Sequence, residues 1–389
     1  MFTVFATTVA GIENLAAKEA QEIIHKKAWI DGPGRIAINI DKMEDAVKLL
    51  YLARLVKRVT LKLSEASLNG AQEDLKTIYE AVYSSNFTYF LTANDSFAVR
   101  SKRVGTHEYT SIDVARVVGQ AVIERILKEK NYRQRVNLSE PDVIFRSYVL
   151  HDRFYFALDL TGDISLERRG YRTEAVHPAP LSPILAASML KLVGWNGAKN
   201  LLDPLCGLGT ICIEAACMAR NIPAAYLRKK TLQVVRRPPF PELNPEHVFS
   251  ELDIKIKHHE KQPITGSDIK KKYIESAMRH AKIIMVDDTI NFKAKKLEEY
   301  MKDQQGSFDL IVSNPPFGLR VGHPKNVTTV YCSLFKVARH LLTSNGKLCI
   351  ITPHTKLVKS LSEKENLPIT HERPVKYGNL NVKIFVCEK

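Results

Sequence analysis

The stretch Phe308-Asp309-Leu310-Ile311-Val312-Ser313-Asn314-Pro315-Pro316-Phe317 decides the fold. Phe308 to Val312 is a short, β-rich apolar run, the pattern of a strand buried on both faces of a parallel sheet. Two prolines end it, because proline cannot donate to a ladder. Asn314 and Phe317 are therefore expected at the carboxyl end of a central strand, where open α/β sheets keep their ligands. The Asn314 amide oxygen and the Pro315 carbonyl can accept both hydrogens of an exocyclic amine. Phe317 can stack on the ring that carries that amine. The plain alternative is a strand, a Pro-Pro turn and a buried phenylalanine, and these residues alone do not separate the two readings.

Around this strand, residues from about 181 to 389 alternate strands with helices, which predicts a doubly wound parallel sheet. Strands are expected at Asn200–Leu205, Ile264–Ile269, Thr289–Ala294 and Gly346–Thr352. Helices are expected at Ile211–Ala219, Lys271–Ile284 and Val330–Leu342, with a C-terminal hairpin of Ile369–Lys376 and Asn381–Cys387. An irregular stretch, Pro223 to Pro263, interrupts the alternation, and Asn244-Pro245 can start a short helix inside it. Between the first strand and helix lies the tight turn Cys206-Gly207-Leu208-Gly209-Thr210. Glycines there let backbone N–H groups approach a ligand closely. Asp268, ending the next strand, can accept both hydroxyls of a ribose. A full GxGxxG and a Walker lysine are both missing, which disfavours an ATP phosphate loop.

The front of the chain reads as two α+β units. Residues 1–65 run strand, helix, strand, helix, strand, and are expected to be ferredoxin-like. Phe2–Thr7, Arg35–Ile40 and Val56–Leu63 are the strands, Glu13–Lys26 is the first helix, and Asp41 is a candidate cap for the second. In residues 66–160, a helix at Leu75–Val82 precedes the strand Ser96–Arg103, which turns basic at Arg100, Lys102 and Arg103. Ser111 is a candidate cap for a long helix to about Lys130, and two strands, Val143–Val149 and Phe154–Asp159, close the unit. Residues 161–180 contain Glu167-Arg168-Arg169-Gly170-Tyr171-Arg172 and read as a linker laid over the surface, whose arginines can meet substrate backbone. Ser182 then caps a helix with Pro183 at its first position.

Composition narrows the partners. A net charge of +15 and a pI near 9.4 favour a polyanion, nucleic acid first. Anionic membrane surface is the rival, but no long basic amphipathic helix or lipidation signal stands out. For the basic positions within 66–160 the plain alternative is a solvated face with ordinary salt bridges, the commoner fate of such charges. No apolar run is long enough to span a bilayer and the N-terminus lacks a basic n-region, so no membrane role and a cytoplasmic location are expected. The six cysteines form no CxxC pair, and buried free thiols are the simplest account, with no metal site. His258-His259 lacks ligand spacing to any cysteine.

Taken in order, Asp203-Pro204-Leu205-Cys206-Gly207-Leu208-Gly209-Thr210, Gly266-Ser267-Asp268-Ile269 and Asp309 to Phe317 resemble the class I, S-adenosyl-L-methionine-dependent amino-methyltransferases. The whole chain, with Gly170-Tyr171-Arg172, His177-x-Ala179-x-Leu181 and Asn314-Pro315-Pro316-Phe317-Gly318-Leu319-Arg320, resembles the THUMP-domain RNA guanine-N2 methyltransferases. Within that group it is most similar to the archaeal-type enzymes that make N2-methylguanosine in the tRNA acceptor stem. The resemblance implies a Rossmann-like methyltransferase domain over 181–389 behind a THUMP domain over 66–160. It implies cofactor binding by Asp203, Cys206, Gly207, Leu208, Gly209, Thr210, Asp268, Ile269 and Asn314. Asn314, Pro315 and Phe317 would hold the target amine. The RNA is expected on Arg100, Lys102, Arg103, Arg172 and Arg320, with the THUMP domain gripping the tRNA 3′ end. A monomer is expected.

The sequence departs from the family pattern in two places. Leu208 stands where serine is frequent, a small change because backbone does the binding there. Lys295-Lys296 stands where the family has Gly-Asp, whose acid holds the adenine amino group. Lysine cannot accept that bond; either Asp287 or Asp288 substitutes, or cofactor binding is weakened. Two other functions compete: the same chemistry on ribosomal RNA or another tRNA position, and a catalytically silent RNA-binding protein with a degraded cofactor site. DNA adenine methylation shares the Asn-Pro-Pro-aromatic signature but is disfavoured by the front half.

Overall fold

The computed structural model describes residues 1–172, 180–258, 263–318 and 324–389. The first unit comprises β1 (Phe2–Thr7), α1 (Glu13–Ile24), β2 (Ala28–Gly32), β3 (Arg35–Ile40), α2 (Met43–Leu52) and β4 (Arg58–Ser67). Its strands lie in the order β2-β3-β1-β4, every neighbour antiparallel, which is the ferredoxin-like arrangement. β2 was not legible, because Ala28-Trp29-Ile30-Asp31-Gly32 shows no alternation. Helix α1 stops at Ile24, where His25 adopts the left-handed conformation and closes the last turn on the Gln21 carbonyl. Asp41 does not cap α2: Lys42 holds that position, and Asp41 pairs with Lys26 instead.

The chain continues through α3 (Asp74–Tyr83), β5 (Ser96–Val104), α4 (Ser111–Lys130), β6 (Arg135–Val136), β7 (Val143–Leu150) and β8 (Arg153–Asp159). The cap of α4 is Thr110, one residue before the expected Ser111. Its hydroxyl accepts from Asp113 N at 3.2 Å while the Asp113 carboxylate accepts from Thr110 N at 2.9 Å, a capping box. β4 pairs with β1 through its first half and with β8 through most of its length, so eight strands form one sheet, β2-β3-β1-β4-β8-β7-β5-β6. The boundary expected at 65–66 falls inside this shared strand.

The second sheet is built from α5 (Pro183–Leu192), β9 (Leu201–Asp203), α6 (Thr210–Ala219), α7 (Gln233–Arg236), α8 (Pro245–Asp253), β10 (Ile264–Asp268), α9 (Lys271–Ile283) and β11 (Ile290–Ala294). It is completed by β12 (Phe308–Ser313), α10 (Pro324–Leu341), β13 (Leu342–Thr352), α11 (Thr355–Lys364), β14 (Ile369–Tyr377) and β15 (Leu380–Glu388). The strand order is β11-β10-β9-β12-β13-β15-β14, parallel from β11 to β13, with β15 running antiparallel to β13. The chain winds outward in opposite directions from β9 and β12, so the topological switch point lies between them. Helix α11 is an addition to the sequence reading, and α10 begins earlier than Val330. Asn244 caps α8 by accepting from His247 N at 3.1 Å, with Pro245 first in the helix. Ser182 precedes α5, but its hydroxyl donates to Glu167 rather than bonding the helix.

Candidate active site

At the switch point the carboxyl ends of β9, β10 and β12 open into a cleft of about 830 Å³. β9 and β12 are tied together there, because Ser313 Oγ donates to Asp203 Oδ1 at 2.8 Å. Asp203 is 2% exposed and also accepts from Leu205 N at 3.2 Å. Burial pushes its carboxyl up to about 7; Asp268 adds to the rise, while the Ser313 and Leu205 donors oppose it.

The glycine turn follows. Gly207 and Gly209 adopt φ of +52° and +76°, and Gly209 N donates to the Cys206 carbonyl at 2.8 Å. A Cβ on Gly209 would lie 2.9 Å from both Ala277 Cβ and Phe292 Cζ, so only glycine lets the turn settle between α9 and β11. The Asp268 carboxylate joins the turn to β10: Oδ2 accepts from Gly207 N at 3.1 Å and Oδ1 from Lys270 N at 2.9 Å. Ile269 beside it leaves 62% of its surface exposed at the cleft.

Across the cleft stands the Asn-Pro-Pro-Phe segment. Asn314 Oδ1 is buried and accepts no hydrogen bond from the described residues. An amide oxygen in that state costs about 1–3 kcal/mol unless a ligand donor meets it. Phe317 stands edge-on to Tyr377, with ring centroids 6.2 Å apart at 87°. Its carbonyl lies 3.0 Å from His354 Nε2. A carbonyl can only accept, so His354 carries a proton on Nε2. Tyr377 in turn donates to the Pro180 carbonyl at 2.8 Å. His354 and Tyr377 were missed in the sequence. Their only signals were a polar residue just past a buried strand, in Thr352-Pro353-His354, and an aromatic before the Gly378-Asn379 turn.

The expected cofactor residues Asp203, Cys206, Gly207, Leu208, Thr210, Asp268, Ile269 and Asn314 all line this cleft, with Gly209 inside the turn, and Pro315 and Phe317 line it too. The basic residues expected to meet RNA, where described, are not among those lining the cleft. Arg100 on β5 grips Asp163 with Nε–Oδ1 3.0 Å and Nη2–Oδ2 2.9 Å. Lys102 is exposed and has no described partner, on the same face of β5 as Arg100, while Arg103 faces the other way and donates to the Gly105 carbonyl at 3.0 Å. Arg172 bonds Thr210 and Leu181. Arg320, Leu319, His177, Ala179 and His259 lie outside the described residues. Among the described residues no helix is long and apolar enough to cross a membrane, and no cluster of three or more His, Cys, Asp or Glu could hold a metal.

Asp287 and Asp288 cannot replace the missing acid. They precede β11, at the opposite end of the strand from the cleft, roughly 16 Å away for a five-residue strand. Asp288 is also bound to Arg220 at 2.9 Å. Lys295 turns over the Tyr300 ring, 3.9 Å from its centroid, and pairs with Asp303 at 2.7 Å.

Comparison with known proteins matches this architecture. Residues 169–383 match the family described as RMKL-like, methyltransferase domain, and residues 72–159 match the THUMP domain. The chain belongs to the THUMP-containing, RMKL-like methyltransferases. It is 35% identical to a tRNA (guanine(6)-N2)-methyltransferase of Methanocaldococcus jannaschii, over 98% of both chains. It is 34% identical to the protein of the same name from Archaeoglobus fulgidus, over 98% of this chain and 91% of that one. In three dimensions it is similar to SMU.472 complexed with SAH (TM-score 0.85, 23% identity, 99% of this chain and 97% of that one). It is also similar to TrmN from Thermus thermophilus (TM-score 0.74, 24% identity, 100% of both). Both likenesses establish the fold.

This methyltransferase uses S-adenosyl-L-methionine, and the cleft fits it. The Asp268 carboxylate at the end of β10 would accept from ribose hydroxyls, Ile269 would offer an apolar face to the adenine, and the glycine turn would admit the methionine end.

Proposed function

We propose that this methyltransferase modifies the exocyclic N2 amine of a guanosine in tRNA, in the acceptor stem, to give N2-methylguanosine. The observation that carries the proposal is the Asn314 amide oxygen, buried at the cleft with no described donor. The names of the two archaeal relatives support guanine 6 as the target. When bound, S-adenosylmethionine supplies an electrophilic methyl group. The guanine amine is a poor nucleophile because its lone pair is delocalised into the ring. Asn314 Oδ1 and the Pro315 carbonyl accept its two hydrogens and turn the lone pair toward the cofactor side, while Phe317 holds the ring. Positioning then supplies most of the acceleration, and the proton leaves after transfer, so no strong base is required. His354 acts through Phe317, fixing the carbonyl end of the segment. A guanosine in a stem must flip out of its stack to reach this cleft. The expected domains, a ferredoxin-like unit over 1–65, a THUMP unit over 66–160 and the methyltransferase over 181–389, would divide RNA grip from chemistry. The enzyme would act as a monomer in the cytoplasm.

The test is methyl transfer from labelled cofactor to tRNA, followed by nucleoside digestion and mapping. N2-methylguanosine at position 6 is expected. Methyl transfer to ribosomal RNA alone would favour the second reading, which has its own support: 29% identity to a ribosomal RNA large subunit methyltransferase K/L of Syntrophotalea carbinolica, over 92% of this chain and 50% of that one.

A further inference from the structure

Helix α6 begins at the cofactor turn, and arginines from outside the second sheet hold it along its length. At its first residue, Arg172 Nη2 donates to Thr210 Oγ1 at 2.5 Å and also to the Leu181 carbonyl. Halfway along, Glu214 is 1% exposed. Its Oε1 accepts from the Tyr171 hydroxyl at 3.2 Å and from Arg169 Nε at 3.4 Å, and Arg54 Nη1 lies 3.5 Å from its Oε2. In the last turn Arg54 donates to the Cys217 carbonyl at 3.1 Å, and beyond the helix to the Ile222 carbonyl. Gly170 permits the close fit: its φ is +97°, and a Cβ there would sit 3.0 Å from Leu227 Cβ. The segment Arg169-Gly170-Tyr171-Arg172, which the sequence lays over the surface, is thus a clasp on α6.

We propose that Arg172 is a positioning residue for the cofactor turn and not a contact to RNA. The proposal rests on the reading of the cleft as the S-adenosylmethionine site. Both partners of Arg172 line that cleft, and one nitrogen bonds both, so the guanidinium fixes the distance between the Leu181 wall and the Thr210 turn. A hydroxyl that accepts from arginine keeps its own proton to donate. Thr210 is therefore presented to the cleft as a donor, suited to an acceptor on the methionine end of the cofactor. With Nη2 committed in this way and Nε buried without a described partner, the guanidinium presents little to a phosphate, whereas one gripping RNA would be aimed at solvent.

Two binding measurements on the full chain separate these roles: calorimetric titration with S-adenosylhomocysteine, and tRNA affinity across a salt series. For Arg172→Ala, S-adenosylhomocysteine affinity should fall about tenfold, the loss expected for a charged hydrogen bond. The tRNA affinity and its salt slope should stay unchanged. Arg172→Lys keeps the charge on a shorter, single-headed side chain. It should still weaken S-adenosylhomocysteine while binding tRNA normally, and it carries the test if Arg172→Ala fails to fold. The proposal is overturned if both variants bind S-adenosylhomocysteine as the wild type does, and most clearly if Arg172→Ala also loses tRNA affinity with a salt slope reduced by about one. Wild-type protein that does not bind S-adenosylhomocysteine at all would instead remove the site reading, and the proposal with it.

Discussion

At the switch-point cleft a buried amide oxygen, Asn314 Oδ1, meets no donor from the described residues, while on the eight-stranded sheet Arg58, Arg100 and Arg146 are closed on carboxylates. Arg58 and Arg146 both reach Asp159 Oδ2 at 2.6 Å, and Arg100 chelates Asp163. The Asn314 oxygen and these three arginines thus use polar capacity in opposite ways. An acceptor left open inside a protein is costly, and it points to a ligand that arrives later. An arginine already paired with a carboxylate, by contrast, builds the sheet and is poorly placed to bind phosphate. A net charge of +15 therefore overstates the charge the front half leaves open to a partner, and Lys102, exposed and with no described partner, is the kind of residue that supplies it.

The largest effect that would sharpen this contrast is at Asn314. Asn314→Ala should lower single-turnover methyl transfer by about 10²–10³-fold, the range for removing one positioned polar group from a reacting centre. Its S-adenosylhomocysteine affinity should fall far less than its transfer rate. A variant that transfers methyl at the normal rate would show that the open oxygen has no substrate role. Next, Asp268→Ala removes the acceptor expected for the ribose and the partner of Gly207 N. It should weaken S-adenosylhomocysteine by about 10–100-fold in a calorimetric titration.

The Asp203 carboxyl gives a pH signature. Its folded-state pKa is raised from 3.8 to about 7, so between those values the native state holds a proton that the unfolded chain has lost. Its contribution must therefore decline as pH rises from about 4 to about 7 and level off above. Asp203→Asn keeps an oxygen for Ser313 and Leu205 but no charge. Melting curves of the variant should lack this slope and show higher relative stability at pH 8. Equal slopes in both proteins would remove Asp203 as the source.

The smallest effects lie on β5. Lys102→Ala should weaken tRNA binding modestly and reduce the salt slope by about one. Arg100→Ala removes the two-point grip on Asp163, leaving Arg146 at 3.8 Å, and should lower the melting temperature more than it changes tRNA affinity. The reverse pattern would break the distinction between committed and open charge.

Much of the second sheet was legible because its signals are local. Apolar runs bounded by glycine and proline, as at Phe308–Phe317 and Leu201–Thr210, fix strand, turn and helix without help from distant residues. The residues lining the cleft followed, because strand ends at a switch point converge whatever their neighbours do. The misses are non-local. Nothing in Thr352-Pro353-His354 says that the imidazole reaches the Phe317 carbonyl, and nothing in Tyr377 shows its contact with Phe317. The partners of the arginines were hidden for the same reason. Arg172 finds Thr210 across 38 positions and Arg100 finds Asp163 across 63, distances at which charge counting carries no information. The continuity of the front sheet through β4 was likewise hidden, since a strand's sequence does not name its second partner.

The most direct test of the central claim uses a tRNA in which the target guanosine is replaced by inosine, which lacks the 2-amino group and keeps the rest of the purine. With labelled S-adenosylmethionine, methyl transfer to the guanosine tRNA and none to the inosine tRNA, at comparable binding affinity, is the predicted result. Undiminished transfer to the inosine tRNA would contradict the account, because the group that Asn314 and Pro315 are arranged to hold would be absent.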